Sequence, residues 1–460
     1  MFRIRLYFFT ILLFLFACTP ELPNASTINS VTAIPTTDDA VLCAIGQDNI
    51  VDWATRLEAL RTLHDRFADC DTDIDLLLYM SYAELGNFME RAGDANAAIS
   101  AYNNALFYYS EGTHAQNRLS LLQSREATEE ASVCENGETS EPLPDYSPSN
   151  QPFMGLNDSH FQLNDSLFPI YGVNYYPMNS PFERFLTETD LEDVEFEFAL
   201  IRESGINTLR IFLRPEDLFI CNAPIPNNEN FERLDAIIQL ASEADLRLIV
   251  TLNQDIVPSV LYFEPFIREQ MRFIVERYRD EATIIAWDVR DKGDLDYRNG
   301  LIRQDIALHW LADTVVMLRQ IDTQHPVTVG WWQDSEISAP LVDFVSFQSY
   351  GDYTDLQQNI ANLNANTNRP ILLISTGYST FTVSEINQRN FLYQTFEETQ
   401  NNNLMGWMVN HTFDYPRTVT CTPPNCPSIG DELNQFGLWN TGYFPKLAVD
   451  AIRIITGVDE

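Results

Sequence analysis

Residues 282–294 read ATIIAWDVRDKGD, a near-continuous apolar run that stops abruptly in charge. An apolar run without alternation is the pattern of a strand buried on both faces, as in a parallel sheet covered by helices. Seven other segments follow the same plan: IYGVNYY (170–176), NTLRIFL (207–213), RLIVTLN (247–253), PVTVGWW (326–332), VDFVSFQSY (342–350), PILLIST (370–376) and LMGWMVN (404–410). Amphipathic stretches separate most of them, among them DLEDVEFEFALIRESG (190–205), NFERLDAIIQLASEAD (230–245) and FIREQMRFIVERYRDE (266–281). The fifth connection, QDSEISAPL (333–341), is too short for a full helix. Eight buried strands joined by helical crossovers predict an α/β fold, a (β/α)8 TIM barrel over residues 153–460. A doubly wound sheet would want a glycine-rich loop after its first strand, and none is there. A hairpin turning at Asn164-Asp165-Ser166 is expected just ahead of the first barrel strand.

The chain upstream of the barrel divides by composition. Arg3 and Arg5 precede an apolar run, Leu6–Phe16, too short to span a bilayer comfortably, and Leu15-Phe16-Ala17-Cys18 follows. This pattern resembles a bacterial lipoprotein signal peptide over 1–17, which implies lipidation at Cys18 and an exported chain anchored to the cell envelope. Residues 18–42 are rich in Pro, Thr and Ser and are expected to form a flexible tether. Residues 43–123 are helical by period. Leu85-Gly86, Ala98, Tyr102, Ala105 and Leu106 fall where tetratricopeptide repeats place small and apolar residues, so a small all-α, tetratricopeptide-like domain is expected. One such unit is clear, which leaves two roles open: a protein-binding module, or a helical hairpin packed on a neighbour. Residues 124–152, rich in Glu, Pro and Ser, are expected to be a linker.

Charge narrows the partners. Lys+Arg total 28 against Asp+Glu 66, a net charge of −38, so nucleic acid is excluded as an expected partner. Lysine occurs only at Lys292 and Lys446. Beyond Cys18, six cysteines remain: Cys43, Cys70, Cys134, Cys221, Cys421 and Cys426. An even number in an exported chain predicts disulfides; Cys43–Cys70 and Cys421–Cys426 are plausible local pairs. There is no C-x-x-C and there are only 6 histidines, so neither a metal site nor a cofactor is expected.

In a TIM barrel the working side chains stand at the C-terminal strand ends. Those ends carry Asn174, Tyr176, Arg210, Asp291, Lys292, Trp331, Trp332, Gln348, Tyr350, Ser375 and Asn410. Aromatic faces stack on sugar rings, and amides and arginine bond hydroxyls, so a carbohydrate is the expected ligand. On an extended strand end, Asp291 would point away from Lys292.

Here the motifs resemble those of the clan A glycoside hydrolases, the cellulase and mannanase type. GVNYYP, GINTLRIFL, IIAWDVRDKGD, VDFVSFQSYGD, RPILLISTGYST and GWMVNHTFDY follow the order of that clan's first, second, fourth, sixth, seventh and eighth strand motifs. The resemblance implies Arg210 as the second-strand arginine. It also implies that the acid catalyst and nucleophile positions, both glutamate in the clan, are Lys292 and Ser375. The clan's usual histidine and tryptophan positions fall on Gln348 and Asn410. A retaining mechanism needs two carboxyl groups, and neither position carries one. The expectation is a catalytically degenerate barrel that binds carbohydrate or a protein partner. Two rivals stand beside it: an active glycoside hydrolase with relocated Asp or Glu residues, and a non-enzymatic scaffold acting through the helical domain. A Ser-Lys dyad between Lys292 and Ser375 is a further, more remote arrangement.

Overall fold

A computed structural model of the chain describes residues 39–47, 53–66, 73–91, 95–110, 112–125, 142–254, 256–381, 383–416 and 432–458. The expected leader, the lipidation site Cys18, most of the tether and linker, and Cys70, Cys134, Cys421 and Cys426 lie outside the described residues. Cys43 is disulfide-bonded. No helix among the described residues is long and apolar enough to cross a membrane.

Five helices come first: Asp39–Gln47, Trp53–Asp65, Ile74–Arg91, Ala95–Tyr108 and Thr113–Arg125. The third and fourth form a tight hairpin, and a Cβ at Gly86 would lie 2.5 Å from the Tyr102 ring, so glycine sets how closely they approach. Leu57, Leu60, Leu78, Tyr82, Leu85, Ala98, Tyr102 and Ala105 share one apolar cluster. Arg56, on the second helix, donates to Ser81 Oγ at 2.9 Å and Glu84 Oε2 at 2.7 Å on the third.

The barrel strands are β1 (Ile170–Asn174), β2 (Thr208–Phe212), β3 (Arg247–Thr251), β4 (Ile284–Asp288), β5 (Val327–Thr328), β6 (Val345–Tyr350), β7 (Ile371–Gly377) and β8 (Gly406–Val409). All are parallel and lie in the order β5-β4-β3-β2-β1-β8-β7-β6. A parallel bridge from Gly330 to Ser346 brings β5 to β6, so the barrel is nearly closed. Helices cross between strands, several of them begun by a side-chain cap, such as Asp190, Asn227, Asp352 and Ser384. The fifth connection holds a single turn, Ser335–Ser338. The predicted hairpin is present. Asn164 and Asp165 both have positive φ, 51° and 64°, as a tight two-residue turn requires. Its Phe161 packs at 5.7 Å from Phe344 and joins Ile170, Ile249, Ile374 and Met408, which plugs the N-terminal end of the barrel. The barrel interior at that end is thereby apolar.

Two register shifts bear on that end. Between β3 and β4 the pairing passes from Leu248–Ile284 to Ile249–Ala286. Between β6 and β7 it passes from Phe347–Leu373 to Gln348–Ser375. Each inserts one extra residue, Ile285 and Ile374, and each changes which face the following residues present.

Residues 142–152, which the sequence places in a linker, lie along the barrel instead. Leu143 and Tyr146 pack on its apolar shell. Glu281 anchors the strap, accepting from Tyr146 Oη (2.7 Å) and the Ser149 backbone N–H (2.8 Å) and bonding Ser149 Oγ (2.5 Å). Composition hid this because the contacts are polar and aromatic and lack periodicity. Burial alone would raise the Glu281 pKa, but hydrogen bonds from Ser149, Tyr146 and Thr283 outweigh it and hold the carboxyl below its usual range. The stabilisation is therefore complete above an ordinary glutamate pKa of about 4.3 and is lost as pH falls through the lower folded value. Glu281→Ala leaves buried donors without an acceptor and should cost about 1–3 kcal/mol. Thermal melting and limited proteolysis within 142–152 will show it, and acid should expose the same bonds in the wild type.

Candidate functional site

Arg210 leaves the interior face of β2 fully buried, and its position follows from the charges around it. Its Nε and Nη2 reach Asp288 Oδ2 on β4 at 3.1 and 2.5 Å, and Nη2 also reaches Asp291 Oδ1 at 2.7 Å. Thr251 Oγ1 donates to the same Asp288 oxygen at 2.6 Å, and the Gly330 N–H donates to the other at 2.8 Å. Gly330 has to be glycine, since a Cβ there would lie 2.5 Å from Arg210 Nη2. Asp288 was not singled out from the sequence, although an acid inside an apolar strand is itself a signal, because a buried charge requires a partner.

A chain of hydrogen bonds runs outward from this cluster. Gln348 Nε2 donates to Asp291 Oδ1 (2.8 Å) and to the Gly330 carbonyl (2.8 Å), which turns its Oε1 toward Tyr350. Tyr350 Oη lies 2.7 Å from that oxygen and 2.8 Å from Ser375 Oγ. A phenol has one proton, and Oε1 can only accept; Tyr350 therefore donates to Gln348 and accepts from the Ser375 hydroxyl. Asn174 Nδ2 donates to Ser375 Oγ at 2.8 Å. The proton of Ser375 is thus committed to a neutral phenol, whose pKa burial pushes upward despite the nearby Lys292 ammonium. Among the described residues the partners of Ser375 Oγ are Asn174 and Tyr350, neither of them a base, and the Ser-Lys dyad is not formed. Asn174 Oδ1 is buried without a hydrogen-bond partner.

Lys292 and Trp332 stand above this floor. The Lys292 ammonium lies 5.8 Å from the ring centres of both Trp332 and Tyr350. The Lys292 backbone is in the left-handed region, φ 49°, and its N–H donates to the Gly330 carbonyl at 2.9 Å. Asp294, fully buried, accepts the backbone N–H groups of Trp332, Gln333 and Asp334 at 2.5–3.2 Å and so fixes the loop that carries Trp332. Trp332 is 36% exposed.

Three expectations are corrected. Asp291 does not turn away from the mouth; β4 ends at Asp288, alternation ends with it, and the turn through Lys292 sends both side chains to the same opening. Burial would raise the Asp291 pKa, but the charges of Arg210 and then Lys292 outweigh it and hold the carboxyl below its usual range. Trp331 is 2% exposed and packs edge-on against Tyr297 at 5.8 Å, so it presents no ring face at the mouth. Tyr176 is 6% exposed, stacked on Phe212 at 5.2 Å as part of the wall. Asn410, at the tip of β8, is half-buried. His411 and Phe436, which the sequence did not single out, complete an aromatic rim with Phe182 and Tyr415. Among the described residues no three His, Cys, Asp or Glu side chains gather as a metal site. A cleft of about 760 Å³ lined by Phe153, Asp158, Arg319, His325 and Arg369 opens at the other, N-terminal end.

No family model matches the chain. It is 24% identical over 225 residues to mannan endo-1,4-beta-mannosidase 3 of Solanum lycopersicum, a match covering 40% of this chain and 53% of that protein. The chain thus spans about half the length of the curated relatives it matches. Among solved structures, an exo-beta-1,4-mannosidase from Opitutaceae bacterium strain TAV5 superimposes with TM-score 0.55 at 14% identity, over 65% of this chain and 61% of that one. A GH5_18 protein from Streptomyces cattleya, solved with Manβ1-4GlcNAc, superimposes with TM-score 0.52 at 18% identity, over 63% and 80%. The barrel shares the (β/α)8 fold of these glycoside hydrolase structures. Lys292 and Ser375 stand at the tips of β4 and β7.

Removing Arg210 strands two carboxylates in the barrel. Arg210→Met should cost about 3–5 kcal/mol, read by denaturant unfolding. At Lys292 the left-handed backbone disfavours any side chain by about 1–2 kcal/mol, so Lys292→Gly should melt higher than Lys292→Ala.

Proposed function

We propose that the barrel mouth binds a β-linked, mannose-containing oligosaccharide and does not cleave it by the retaining route. One observation carries this: Ser375, at the position of the clan's nucleophile, is closed into a neutral hydrogen-bond chain with Asn174, Tyr350 and Gln348. A hydroxyl that donates to a phenol has no base to activate it, and Lys292 supplies an ammonium where the acid would stand. The acids nearby are already committed. Asp288 is held by Arg210, Thr251 and Gly330; Asp294 by three backbone N–H groups; Asp334 by Arg298 and Tyr297; and Asp414 by Lys446. Asp291 is likewise held, by Arg210 and Gln348, so each of these described acids is committed where hydrolysis uses two working carboxyl groups.

Features suited to binding persist. Trp332 offers an exposed ring face for the apolar side of a pyranose. The half-buried Asn410 at the β8 tip carries an amide suited to sugar hydroxyls. The relatives are named as mannosidases or were solved with a mannose-containing disaccharide, which supports that sugar class. An exported chain, anchored through a lipid at Cys18, would meet such a ligand outside the cytoplasm.

Calorimetry with mannohexaose and Manβ1-4GlcNAc, beside an assay for newly formed reducing ends, tests this. Binding without cleavage is expected, weakened about tenfold by Trp332→Ala, the scale of one aromatic contact. Cleavage that disappears in Lys292→Met or Ser375→Ala would overturn it.

A further inference from the structure

We infer that the cleft at the N-terminal end of the barrel is a second carbohydrate site, built around Phe153 and Arg369; its sugar class rests on the function proposed for the mouth. The cleft measures about 760 Å³, within the roughly 300–1,000 Å³ of small-ligand sites. It lies outside the apolar plug, between the segment 153–158 and the turns that lead into β5, β6 and β7, and shares no residue with the mouth.

A fixed aromatic platform stands in it. Phe153 is 38% exposed, and its ring rests on the His325 imidazole at 5.5 Å. Glu281 secures both: its carboxylate accepts from the Ser149 N–H, four residues before Phe153, and its backbone carbonyl lies 3.1 Å from His325 Nε2. Asp322 Oδ2 holds the other imidazole nitrogen at 2.6 Å. Met154, next in the chain, is buried in the plug. A ring already in place spares a ligand the cost of ordering it.

Asp158, Gln324, Asn368 and Arg369 also line the cleft, and among the described residues none of these four side chains has a hydrogen-bonding or ionic partner. Arg369 is the informative one. With 66 acidic residues against 28 basic, an arginine readily finds an acid, as Arg319 of the same cleft does in Asp343 at 2.5 Å. Asp322 and Asp343 are spent, on His325 and Trp287 and on Arg319 and the Val327 N–H. Arg369 stays unpaired although Asp158 lines the same cleft. A guanidinium and a carboxylate held apart suit a neutral, polyhydroxylated ligand: each can bond hydroxyls, the amides bond others, and the ring covers the apolar face of a pyranose. A net charge of −38 disfavours a polyanion. Because cleft and mouth lie at opposite ends of the barrel, one molecule would bridge two glycan segments.

The test is calorimetry of the full chain with mannohexaose, beside light scattering with long-chain galactomannan. Two sites per chain are expected. Phe153→Ala should weaken one of them about tenfold, the scale of one aromatic contact, and leave the Trp332-dependent site within about twofold. Arg369→Gln should weaken the same site as Phe153→Ala; it removes no bond within the protein, and Phe153→Tyr should keep both sites, so lost binding is separated from lost fold. Galactomannan should scatter strongly with the wild type and not with Phe153→Ala or Trp332→Ala. A single site per chain, untouched by Phe153→Ala and Arg369→Gln, would overturn the second site and leave the mouth standing. Binding that needs Phe153 and ignores Trp332→Ala would uphold the cleft and overturn the mouth. No binding of mannohexaose would overturn both.

Discussion

The buried guanidinium of Arg210 is the interaction on which the mouth depends. It lies between Asp288 and Asp291, with Thr251 and Gly330 completing the shell of Asp288. Charges taken from water into a barrel are tolerated only when paired and fully hydrogen-bonded. Once that cluster is satisfied, Asp291 is available to orient Gln348, and Gln348 fixes which way the protons of Tyr350 and Ser375 run. The direction of the whole chain is inherited from one cation. A neutral residue at Arg210 would release the carboxylates and the sense of the network together.

The same network is what the proposed function rests on: a (β/α)8 mouth that would bind without retaining chemistry. Catalysis by that route requires one carboxyl group that gives a proton and another that attacks. Here the β7 tip is a hydroxyl whose proton is already given away, and the β4 tip is an ammonium. The scaffold beneath is a parallel barrel with a plugged N-terminal end, an arginine on β2 and a tyrosine on β6. Binding surface and chemical machinery are separable on this frame because the first rests on aromatic faces and amides, and the second on two particular acids.

Much of this could be read from the sequence. Eight apolar runs and their helical spacers determined the barrel, because a parallel strand buried on both faces leaves a continuous apolar signature. The hairpin at Asn164-Asp165 was equally legible, since few residues tolerate positive φ. The order of the strand motifs placed Arg210, Lys292, Gln348, Tyr350 and Ser375 at one end, and the structure does gather them there. The identity of the side chains, an ammonium at the β4 tip and a hydroxyl at the β7 tip, is a property of sequence alone.

Tertiary structure decided where those side chains point. Asp291 turns inward because β4 stops at Asp288 and the chain passes through a left-handed Lys292, which no period of two anticipates. Ser375 faces the interior beside Gln348 because of one extra residue in β7, and a bulge moves every following side chain to the other face. Trp331 and Trp332 are neighbours of the same type, yet one packs on Tyr297 and the other meets solvent, a choice made by the three N–H groups that Asp294 collects. The strap at 142–152 is held by Glu281, more than a hundred residues distant. Local pattern fixes which residues can be buried; only long-range hydrogen bonding fixes which way a polar side chain turns once it is.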